Sequence, residues 1–131
     1  MIYLGTSPVG VRIADVGDFS KYASTTASTS NANYLQVENP LSFAPKFVVI
    51  TWIGDVSSGK LAGCMFLTEL NRGVYRFTGQ TTTGVMYQAD TVSGASKDRY
   101  CHFDENTIFV YRPSSSVTWD TEATYLVEVY A

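Results

Sequence analysis

The 131-residue sequence has one histidine, two cysteines and no cluster of Lys or Arg. Each shortage excludes a class of chemistry. His102 stands beside Cys101, and adjacent residues of a strand point to opposite faces, so the two diverge rather than form a nucleophile and its base. With Cys64 far from that pair, a structural zinc site lacks ligands unless carboxylates or a second subunit contribute. The nine Lys and Arg are scattered among twelve Asp and Glu, for a net charge of −3, which argues against a nucleic-acid binder. No apolar stretch approaches the roughly 20 residues that span a bilayer. The opening MIYLG has neither a basic n-region nor a long apolar run, so no membrane insertion and no secretory signal are expected. No serine sits in a G-x-S-x-G elbow.

What the chain does have is aromatic and apolar. Hydrophobic residues make up 45% and charged residues 16%, a balance that suits a globular domain able to fold without disulfides or metal. Nine Tyr and seven Phe lean the chain toward strands. Cys64 and Cys101 lie in separate strand-like segments and are expected to be reduced and buried.

The most strongly patterned stretch is 45–53 (PKFVVITWI), dense in β-branched and aromatic residues and flanked by turn formers. It reads as a central strand. Further strands are expected at 34–37, 61–68, 74–77, 85–88, 99–103, 107–112 and 124–130, and another at 9–13, where Val9, Val11 and Ile13 alternate with smaller or polar residues. Asn71-Arg72-Gly73 and Asp104-Glu105-Asn106 supply hairpin-loop chemistry. The tract 21–32 (KYASTTASTSNA) holds too few apolar groups to offset its ordering by burial, and it reads as a linker or long loop. Residues 1–32 are therefore expected to form an extended segment and linker, and 33–131 a domain. Eight or nine short strands with regular turn signals and no amphipathic helix predict an all-β, antiparallel, jelly-roll-like sandwich.

Three motifs bear on chemistry. Residues 54–60 (GDVSSGK) have P-loop spacing after a strong strand, but Leu61 stands where a Mg²⁺-coordinating hydroxyl is needed, and hairpins rather than a helix follow. A Gly/Ser hairpin loop is the better reading. Asp104-Glu105 and Asp120 with Glu122 offer paired carboxylates, yet all four lie at turn positions where Asp is favoured for backbone reasons. Trp52 reads as packing within the central strand. Trp119, in a polar loop beside Asp120, is the candidate recognition aromatic, and these two residues are the ligand-binding candidates. No catalytic residue, cofactor site or metal site is read.

The opening MIYLGTSPV, the stretch PKFVVI at 45–50 and the close TYLVEVY at 124–130 resemble small structural proteins of bacteriophage virions, namely tail-fibre, baseplate or head-fibre accessory proteins of phages of gut bacteria. The resemblance covers about a quarter of the chain and carries over no site residues. It implies a non-enzymatic β-sandwich, made in the host cytoplasm, that oligomerises, often as a trimer, with other virion proteins. A role in virion architecture or in attachment to a host-surface glycan follows from it. The competing expectation is a bacterial carbohydrate-binding sandwich that uses Trp119 and Asp120.

Overall fold

The computed structural model describes residues 21–54, 57–70, 72–77, 83–86, 101–113 and 116–131. The expected strand at 9–13 lies outside them, as do parts of those expected at 85–88 and 99–103. Among the described residues there are nine strands: β1 (Tyr22–Ala27), β2 (Tyr34–Glu38), β3 (Phe47–Ile53), β4 (Leu61–Leu67), β5 (Arg72–Phe77), β6 (Thr83–Met86), β7 (Cys101–Phe103), β8 (Thr107–Tyr111) and β9 (Thr124–Tyr130). They form a six-stranded sheet in the order β1-β9-β3-β4-β5-β6 and a three-stranded sheet in the order β2-β8-β7. All named pairings are antiparallel. The all-β sandwich expected from the strand and turn pattern is the observed fold.

The first and last of the described strands pair with one another. β1 and β2 pair with β9 and β8, so the first two strands wrap onto late ones. The middle strands differ, because β3 to β6 run as a consecutive meander within the larger sheet.

Period-2 alternation drives this arrangement. In β3, Val48 and Ile50 are buried, and in β9 Tyr125, Val127 and Val129 are buried, while the residues between them lie on the outer face. Leu35, Ile108, Val110, Cys101 and Phe103 supply the facing layer from the smaller sheet. Phe66 and Phe103 meet across the sandwich with ring centroids 4.9 Å apart. Cys64 and Cys101, two residues earlier on the same strands, are buried and free.

Two local expectations are corrected. The Ser/Thr-rich tract is not a linker over its whole length, because Tyr22–Ala27 is an edge strand in register with β9 from Tyr22↔Tyr130 to Ala27↔Tyr125. Its backbone hydrogen bonds, rather than apolar burial, hold it in the sheet, and the sandwich therefore begins before residue 33. The β4–β5 turn also lies earlier than Asn71-Arg72-Gly73. A 3₁₀ turn at Thr68–Leu70 makes the reversal, and Arg72 and Gly73 already pair with Leu67 and Phe66. Thr68 anchors that turn by donating its amide to Lys46 O at 3.1 Å and its hydroxyl to Pro45 O at 2.7 Å.

Candidate functional site

Trp119 and Asp120 are built into the structure rather than offered to a ligand. The indole is 0% exposed, donates Nε1–H to Val110 O at 3.0 Å and meets the Tyr125 ring edge-on at 4.9 Å. The Tyr125 hydroxyl donates to Leu61 O at 2.9 Å and accepts the Asp120 amide at 3.2 Å, and burial pushes its pKa up to about 12. Asp120 Oδ2 accepts the Ser57 amide and Oδ1 the Glu122 amide, both at 2.9 Å. The Ser57 amide in particular holds the Asp120 carboxyl below its ordinary pKa. The loop therefore plugs one end of the sandwich, bonding the larger sheet at Leu61 and the smaller one at Val110.

The P-loop-like stretch joins the same plug. Gly54 and Gly59 have φ of 87° and 80°, a backbone that glycine adopts without strain, and the chain returns directly into β4. Lys60 bridges to Thr118, with Nζ donating to Thr118 Oγ1 at 2.9 Å. This is a strand-to-strand connection, with no helix after it.

Asp104 likewise serves its turn. Its Oδ1 accepts the amides of Asn106 and Thr107 at 2.8 and 2.7 Å, and His102 Nε2 lies 3.0 Å from Oδ2. Those contacts, the Asn106 amide first, lower its pKa, whereas a general acid at neutral pH needs a raised one. The buried Asn39 braces the hairpin from behind by donating to Phe43 O and Asp104 O and accepting the Leu41 amide, each at 2.8 Å.

Two surfaces remain, the outer faces of the sheets. On the larger sheet the register sets side chains in rows across β1, β9, β3, β4 and β5. Tyr22, Tyr130, Phe47, Leu67 and Arg72 form the first row, with Tyr130 4.8 Å from Tyr22 and 5.6 Å from Phe47 between ring centroids. Ser24, Glu128, Val49, Met65 and Val74 form the second. Thr26, Leu126, Thr51, Gly63 and Arg76 form the third. Met65 is 47% exposed, Val74 36% and Leu70 53%, and the three line one groove, a concentration of uncovered apolar groups that isolated surface residues do not make. A groove of about 270 Å³ runs between Phe47, Met65, Leu67, Leu70 and Val74 with Arg72 at its rim. A neighbouring depression of about 310 Å³ shares Met65 and Val74 and reaches Trp52 and Arg76. Gly63 lines it, and no side chain fits at that position, since an added Cβ would overlap the Ile50 carbonyl oxygen.

The outer face of the smaller sheet carries an aromatic platform. Tyr34 stacks on Phe109 at 5.3 Å and 25°, and Phe109 on Tyr111 at 6.4 Å and 27°. Gln36 and His102 flank Phe109 in register, and Arg112 lies 5.8 Å from the Tyr111 ring. Sequence reading missed both faces, because each is assembled from strands far apart in the chain. Alternation in β3 and β8 was the available signal.

Among the described residues no three of His, Cys, Asp and Glu come together to hold a metal, and no helix is long and apolar enough to cross a membrane. No family model, no curated protein and no solved structure matches the chain.

Proposed function

We propose that this chain is a non-enzymatic structural component of a bacteriophage particle, held in the assembly through the outer face of its six-stranded sheet. The observation that carries this reading is the row arrangement around Met65 and Val74. A sheet that buries one apolar face in its own core and leaves an apolar patch around Met65 and Val74 uncovered on the other suits a layer in a larger assembly. The side chains with candidate chemistry, Asp104 and Asp120, are engaged as acceptors of backbone amides. In this reading the chain is made in the host cytoplasm and oligomerises beside other virion proteins.

Tagged full-length chain made in infected cells should band with density-purified particles. Met65→Asp, with unchanged circular dichroism, should be lost from them. Equal recovery of both chains, or of neither, would contradict the reading.

A carbohydrate-binding role, as a host-attachment surface or as an independent module, is favoured by one observation, the Tyr34–Phe109–Tyr111 platform. Flat rings suit the apolar face of a sugar, and Gln36, Glu38 and Arg112 bring polar groups beside them. That role moves the binding residues away from Trp119 and Asp120. Glycan-array binding that disappears in Tyr34→Ala and Tyr111→Ala but survives in Met65→Asp would support it.

A further inference from the structure

We infer that the partner seated on the outer face of the six-stranded sheet is a second copy of this chain, related by a two-fold axis that runs along the strands between β3 and β4. The inference rests on the assembly reading above and names its occupant. Its first support is charge. Arg72 and Arg76 stand on β5 in the first and third rows, while Glu128 stands on β9 in the second, with the apolar strands β3 and β4 between them. The stated axis lays β5 of one copy over β9 of the other. Glu128 of each copy then falls between Arg72 and Arg76 of its mate, and Val49 falls on Met65. A two-fold axis across the strands through the second row would instead set Arg72 over Arg76 and Glu128 over Glu128. Of these two, the first is self-complementary, as an isologous interface requires.

The second support is area. The six strands, four to seven residues long and about 4.8 Å apart, present roughly 590 Å². Two such faces bury roughly 1,200 Å², at the lower end of the range of about 1,200–2,000 Å² found for stable interfaces. Sheet-on-sheet packing of this kind keeps the strands within about 30° of alignment.

Charge reversal tests the arrangement with the full-length chain by sedimentation equilibrium over two decades of concentration. The wild type should dimerise. Glu128→Lys alone and Arg72→Glu/Arg76→Glu alone should each associate about tenfold or more weakly, because like charges now face each other. An equimolar mixture of the two variants should regain the dimer, since both sets of contacts in the mixed pair are again opposite in sign. Circular dichroism checks that each variant folds. If one does not, Met65→Asp takes its place and should be monomeric.

A monomeric or trimeric wild type, or a mixture no stronger than its separate components, overturns the two-fold pairing. The assembly reading stands or falls separately on recovery from purified particles. A monomer that still enters particles through Met65 would leave that reading intact and refute only the second copy as occupant.

Discussion

Val49 and Met65 lie opposite each other in register on the outer face of the larger sheet, and Met65 remains about half exposed there. Their inward neighbours Ile50 and Cys64 are paired in the same ladder and belong to the core. Two adjacent residue pairs thus serve opposite purposes, one holding the fold and one facing outward. At concentrations where both proteins are monomeric, Met65→Asp should accordingly change unfolding free energy by no more than about 0.5 kcal/mol, as for other surface substitutions, while abolishing association at higher concentration. Urea denaturation and sedimentation, run side by side, separate the two effects.

Trp119 is expected to be a stability residue. Trp119→Ala should cost about 3–5 kcal/mol, the range for truncating a large core aromatic. Tyr125→Phe should cost about 1–3 kcal/mol, because it removes the hydroxyl that joins Leu61 O to the Asp120 amide. Neither change should alter glycan binding once the protein is folded. A Trp119→Ala protein of undiminished stability that had lost a ligand would reverse the assignment.

Acid should weaken the fold through Asp104 and Asp120. Both carboxyls have folded pKa values below their ordinary value, owing first to the amides of Asn106 and Ser57 respectively. Because the folded values are lowered, the stability that the carboxylates contribute is complete above the unfolded pKa of about 3.9. It is lost as pH falls through the lower folded values. Thermal melts from neutral pH downward should show Asp120→Asn less stable than the wild type at pH 7, with the gap closing in acid. A constant gap would show that charge is not the cause.

Both thiols should be silent in the folded protein. Burial pushes the Cys64 pKa up to about 12 and raises that of Cys101 well above the ordinary thiol value, so little thiolate forms and no reagent reaches it. A thiol-specific chromogenic reagent near pH 8 should find no rapidly reacting cysteine under native conditions and two in denaturant. Rapid native labelling of either residue would contradict the packed interface between the sheets.

Much of the fold was legible because alternation and burial coincide. In the strands expected at 45–53, 107–112 and 124–130, the buried positions alternate as Val48 and Ile50, Ile108 and Val110, and Tyr125, Val127 and Val129. The Tyr22–Ala27 strand was not legible, because only Ala27 is buried there and its stability comes from pairing with β9, a partner about a hundred residues away. Trp119 misled for a related reason. Its polar neighbours suggested exposure, while the groups that bury it, Val110 O and the Tyr125 ring, come from two other segments. The candidate faces follow from register, which local sequence does not reveal.

The most direct test of the outer face as an assembly surface is the rate of Met65 sulfoxide formation by dilute hydrogen peroxide, followed by peptide mass spectrometry. The rate is compared between intact particles and the dissociated full-length chain. The exposed thioether should oxidise readily in the dissociated chain and several-fold more slowly in the assembly, where a partner covers it. Equal rates in the two states would show that this face stays open to solvent and would contradict the account.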